Sequence, residues 1–186
     1  SETEALEEVS QSEPASREDV IALYDAIKTI GKSANVKGDR KAQVKAMKVG
    51  RPLQKCLDSK HHAVIAELLE KEARDLPRNL IPTIGHAGGS QDERATIRFA
   101  AVSTIIDIAG RSRNRLALPG LRKLVDKGGL AGDLASGAIS QIGEPQDLED
   151  FIRRVKQDPK SQLNFSGFGA VGIERIMREV DQNKLN

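Results

Sequence analysis

The 186-residue chain has no tryptophan, a single tyrosine (Tyr24), four phenylalanines and a single cysteine (Cys56). A core with so few rings has to be filled by Leu, Ile, Val and Ala, which suits thin layers of closely packed helices. One cysteine excludes an internal disulfide and leaves the redox compartment open. No apolar run reaches the roughly 18 to 20 residues of a membrane-spanning helix. No segment alternates strictly between apolar and polar residues, so half-buried strands are not expected. The first residue is Ser and not Met, which fits a cytoplasmic chain and equally an exported one whose signal has been removed.

What is present is charge, unevenly placed. The net charge is only +2, yet residues 1–19 hold seven acids against Arg17, and residues 28–60 hold ten Lys or Arg against Asp39 and Asp58. Residues 1–15, polar and acidic with Pro14 near the end, read as an acidic disordered arm, and residues 16–186 as the folded domain. One further expectation is that this arm folds back over the basic stretch and masks it.

Helix signals follow along the chain. Ser16 with Asp19 three residues on makes a capping box. Val20, Leu23, Tyr24, Ile27 and Ile30 then line one face, with Gly31 as the stop. Residues 40–57 read as helical with Val49, Leu53 and Leu57 inward, kinked or split by Pro52 near Gly50. Val64, Ile65, Leu68 and Leu69 mark a helix over residues 59–74. A short helix is expected near 80–84, then a glycine-rich loop over 85–89, then a second capping box from Ser90 and Glu93. That box opens a long helix ending at Gly110. Further helices are expected over 116–126, 133–142, from Pro145 to about 157, and over about 165–180. The expected class is all-α.

The long helix is written more than once. Ala101, Ile105 and Ile108 return as Ala135, Ile139 and Ile142, and again as Gly169, Ile173 and Ile176, 34 positions apart each time (101, 135, 169). A fixed period of this length marks stacked helical repeats, each burying its apolar face against its neighbours. In the last copy, Gly167, Gly169 and Gly172 would allow close helix contact, with Glu174, Arg175, Arg178 and Glu179 as a polar outer face.

Asp92, Ile97-Arg98, Ala100-Ala101 and Ile105 resemble a HEAT repeat, and Leu118-Pro119 is similar to the proline-containing first helix of such a unit. Thirty-four positions after Arg98 stands Gly132, and then Ser166, so the motif arginine occurs in the first copy alone. The resemblance implies a right-handed stack of antiparallel helix pairs, a HEAT-like α-solenoid, with a protein partner held on the inner helical face. HEAT-like DNA glycosylases and phycobilin lyases share that architecture. Here only Tyr24 offers a ring to stack on a base or chromophore, and no Ser/His/Asp set or carboxylate pair stands out, so no enzyme activity is expected.

The candidate partner-binding residues are cations. Lys41, Lys45, Lys48 and Lys55 fall on one helical face if the Pro52 kink is mild, thickened by Lys32, Lys37, Arg40 and Arg51. Arg111, Arg113 and Arg115 form a second group, with Arg122 and Lys123 following. Such faces suit an acidic protein partner, and as the alternative a nucleic acid meeting residues 28–60. Both groups also fit plain solvated surface. No cofactor and no metal are expected, because His61, His62 and His86 lack partners at metal-ligand spacing. Cys56, between Leu53 and Leu57, reads as a small buried hydrophobe.

Overall fold

The structure, a computed structural model, describes residues 2–35, 39–76, 93–158, 160 and 163–184. The helix expected near 80–84, the glycines of 85–89, His86, Ser90 and Asp92 lie outside these. Among the described residues there are helices and no strands: α1 (Glu2–Gln11), α2 (Arg17–Ser33), α3 (Arg40–Gly50), α4 (His62–Asp75), α5 (Glu93–Arg111), α6 (Leu118–Lys127), α7 (Gly129–Ile142), α8 (Pro145–Gln157) and α9 (Gly169–Lys184). Short 3-10 turns at Pro52–Lys55, Ser59–His61, Arg115–Ala117 and Ser166–Phe168 join them. No described helix is long and apolar enough to cross a membrane.

Local chemistry sets most of the boundaries. The Ser16 hydroxyl accepts from Asp19 N at 3.1 Å while the Asp19 carboxylate accepts from Ser16 N at 2.9 Å, closing the expected capping box. Asp39 caps α3 by accepting from Ala42 N at 3.0 Å. Pro52 does end α3, and the chain continues as a 3-10 turn. Gly143, with φ +77°, supplies the left-handed cap of α7. Gly31 is a correction. It does not stop α2, which runs on to Ser33; a Cβ there would come within 3.1 Å of Ile97 Cγ2, so the glycine lets α5 approach.

The acidic arm is a second correction in one respect, its expected disorder; that it folds back over the basic stretch is met at Lys48 and Lys55. Glu2–Gln11 is helical and packs on α3, with Leu6 against the core and Ser10 buried. The apolar period there is too short to read from sequence, and the helix is ordered by the surface it lies on.

α4 packs on α6 and α5, α7 packs on α5 and α6, and α2 packs on α5 and α3. Buried side chains of α2 through α7 form one continuous core. Ion pairs strap neighbouring helices. Arg17 meets Glu67 at 2.5 Å between α2 and α4, and Lys123 meets Glu70 at 3.1 Å between α4 and α6. Between α6 and α8, Arg122 grips the buried Asp147 with two bonds of 2.8 and 3.1 Å, and Arg154 meets Asp126 at 2.6 Å.

The first two sequence copies are alike in burial. Ile105 and Ile139 are buried on α5 and α7, which pack against each other, as are Ala101 and Ala135. The third copy is set differently. Gly169 is exposed at the start of α9, Ile173 is half-buried, and Ile176 joins a separate small cluster with Ile152 and Val155. α9 packs on α8, and the turn before it covers α7. The reason is chemical. Ile106 of α5 is buried, but 34 positions on stands Ser140, preceded on the same face by Ser136. Ser136 Oγ accepts from Asn164 N at 2.6 Å and Ser140 Oγ from Gly167 N at 3.0 Å, so a loop takes the place of another helix.

Candidate functional site

Among the described residues the most buried charge lies where α2, α4 and α5 meet. Glu72 of α4 has no solvent exposure; its oxygens face Lys28 Nζ at 2.6 Å and Arg98 Nη2 at 3.4 Å. Arg98 also reaches Asp75 O at 3.4 Å. Burial, reinforced by the Glu72 charge, pushes the Tyr24 phenol well above its ordinary range. Lys28, Lys32, Arg94, Arg98 and Asp75 line a cleft of about 510 Å³ above this cluster. Its cations serve the fold first: Lys28 and Arg98 hold Glu72, and Arg94 Nε donates to Ala34 O at 3.1 Å.

The cations singled out in the sequence are only partly brought together. Lys41 and Lys45 are exposed on α3. Lys48 pairs with Glu7 of α1 at 3.0 Å. Lys55 lies beyond the end of α3 on the 3-10 turn, so the four lysines do not share one helical face; its Nζ donates to Gln11 O at 2.7 Å and Ser12 O at 3.1 Å. Arg111 pairs with Asp107 at 3.2 Å and Arg115 with Glu144 at 2.6 Å. Arg113 is exposed in a left-handed turn with φ +50°. Arg111 and Arg113 line one cavity of about 430 Å³ with Leu57 and Gln141, while Arg115 turns toward the start of α8.

That cavity is the end of a longer groove along the outward face of α5. Between α3 and α5 a cavity of about 400 Å³ is bordered by Met47, Gln54, Ala100, Ser103 and Thr104. Gln54, Ser103 and Thr104 also line the next cavity, about 380 Å³, between α5 and α7, together with Leu134 and Gln141. Gln141 in turn borders the Arg111–Arg113 end. The floor is small: Ala100, Ser103, Gly137 and Ala138. Met47 and Leu134 stand at the sides, 56% and 36% exposed. Ser103 Oγ and Thr104 Oγ1 both donate to Ala100 O, at 2.9 and 2.8 Å, so their remaining lone pairs are acceptors. Asp107 is the one charged residue bordering the first two cavities among the described residues, and it is paired with Arg111.

Sequence reasoning missed this groove. Its signal was the complement of the buried stripe of α5, namely Thr96, Ala100, Ser103, Thr104 and Asp107 at helical spacing; Gln54 and Gln141 carry no local signal. Cys56 is fully buried, and burial pushes its thiol up to about 11, as suits a packing residue. Among the described residues no three His, Cys, Asp or Glu side chains converge as metal ligands would. Comparison with protein-family models, with curated proteins and with solved structures found no match to this chain.

Proposed function

We propose that the protein is a HEAT-like interaction module, without catalysis of its own, that holds an extended segment of a partner protein in the α3–α5–α7 groove. One observation carries the reading: the groove offers hydrogen-bonding side chains on a nearly uncharged floor. Hydroxyl acceptors at Ser103 and Thr104 and amides at Gln54 and Gln141 suit the N–H and C=O groups of a peptide backbone. Ala100 lets that backbone approach, and Met47 and Leu134 offer apolar contact to its side chains. Arg111 and Arg113 place positive charge at one end, which favours a segment carrying an acid there.

The nucleic-acid reading of residues 28–60 has less support. Lys28, Lys48, Lys55 and Lys60 already face carboxylates or carbonyls of the chain itself. The test uses partners captured under native conditions. Ser103→Arg and Leu134→Glu should abolish capture, while Lys41→Glu with Lys45→Glu should leave it intact. The reverse pattern, with a steep loss of binding in salt, would favour nucleic acid instead.

A further inference from the structure

α1 is an acidic helix lying on a basic one. It carries four glutamates and no Lys or Arg, and it packs on α3. Its middle is held by Glu7 to Lys48 at 3.0 Å, a contact that keeps the Glu7 carboxyl below its ordinary value of 4.5 through the hydrogen bond and charge of Lys48. Its carboxyl end is held by Lys55, which donates to Gln11 O and Ser12 O. A cation against the last carbonyls of a helix meets both unpaired acceptors and the negative end of the helix dipole. Just beyond, Glu13 pairs with Lys60 at 3.7 Å.

These ties are solvent-exposed. The side chains of Glu7, Glu13 and Lys60 are each about half accessible, and Val9 is 36% exposed. A ten-residue helix is too short to persist alone in water, so α1 is ordered only while it stays on α3. With Leu6 as its main apolar contact it belongs to the low-stability part of the fold.

We propose that the face of α3 beneath α1, completed by Lys55, is a docking site for an acidic amphipathic helix of a partner protein, and that α1 is its displaceable internal occupant. The site favours a helix over another polyanion because α1 also seats Leu6 against the core there, an apolar contact that a phosphate chain cannot make. The tether sets the threshold. α1 is present at an effective concentration on the order of millimolar, so an external helix binds only in proportion to the fraction of molecules whose α1 has left. This surface is separate from the groove, which uses the Gln43 and Met47 side of α3.

The test uses the full chain and a fluorescent peptide of residues 1–15, followed by anisotropy at low salt. Glu7→Lys sets α1 against Lys48 and should speed amide exchange in α1. It should also tighten peptide binding at least about tenfold over the unaltered chain. Adding Lys55→Glu to Glu7→Lys should remove that binding. Equal peptide binding with and without Glu7→Lys, or unchanged exchange in α1, would overturn the proposal, as would peptide binding indifferent to Lys55→Glu. Displacement of the peptide by a DNA strand of equal charge at equal concentration would overturn the selectivity for a helix. A concentration-dependent dimer of the Glu7→Lys chain that Lys55→Glu abolishes would make the occupant a second copy, against the proposal.

Discussion

Lys28 Nζ sits 2.6 Å from Oε1 of Glu72, a carboxylate with no exposure to solvent. The other oxygen faces Arg98, so one buried charge joins α2, α4 and α5. Removing it leaves Lys28 and Arg98, both partly buried, without their shared counter-charge. Glu72→Ala should cost about 3 kcal/mol in urea unfolding. Much of that loss should return when Lys28→Met and Arg98→Met are added to a Glu72→Leu chain, because the desolvated charges are then gone together. A Glu72→Ala chain as stable as the original would show that the cluster is not holding the three helices.

The two well-matched repeat positions and the divergent one make a direct comparison. Ile139→Ala removes a side chain 1% exposed in the main core and should cost about 3 kcal/mol. Ile173→Ala, at the equivalent sequence position but half-buried, should cost about 1 kcal/mol or less. Equal losses in chemical denaturation would mean that α9 is seated as α7 is.

Gly167 presses on α7: a Cβ there would lie 2.5 Å from Gln141 N and 2.6 Å from Ser140 C. These are backbone atoms that cannot swing aside. Gly167→Ala should therefore lift the 163–168 segment, at a cost of about 2 kcal/mol, and expose Ser136 and Ser140. Ser140→Ala, which only leaves the Gly167 N–H without its acceptor, should cost about 1 kcal/mol. Amide exchange at Asn164 and Gly167 would register both changes.

His61 is 2% exposed, and its Nε2 is buried with no hydrogen-bond partner. Burial, helped by Lys60 and His62 against the opposing charges of Asp58 and Glu13, holds it below its usual 6.5. The unfolded chain therefore takes up this proton first as pH falls. Stability from this group is complete above 6.5 and declines as pH drops below it toward the folded-state value. The depressed carboxylates of Glu7, Asp19 and Asp39 matter only lower, as pH falls past their ordinary values of 4.5 and 3.8. Melting temperature followed downward from pH 7 should show the first decline, and His61→Gln should flatten it.

Capping and periodicity were enough to write most of the helices. Ser16 and Asp19 bond to backbone within four residues, and Pro52, Gly143 and Pro145 act on their own dihedral angles, so their effects are readable wherever they occur in a chain. The burial of Val20, Tyr24, Ile27, Ile105 and Ile139 followed from the same spacing. Boundaries moved where the neighbour mattered. α7 starts four residues before Asp133, directly after Gly128, which takes φ +74°, and α2 runs past Gly31 because Ile97 lies opposite.

By itself, then, the sequence determined that most of the described residues are helical, where the breaks at Ser16, Pro52 and Gly143 fall, and that Ile27, Ile105 and Ile139 face inward, because each of those rests on interactions within a turn or two of backbone. Only the tertiary structure decided that the acidic arm folds as a helix where it lies on α3, that a loop bonded to Ser136 and Ser140 lies on α7, and that Ser103, Thr104, Gln54 and Gln141 share one groove. Those outcomes depend on which surface lies opposite across dozens of intervening residues, and no local period encodes that distance.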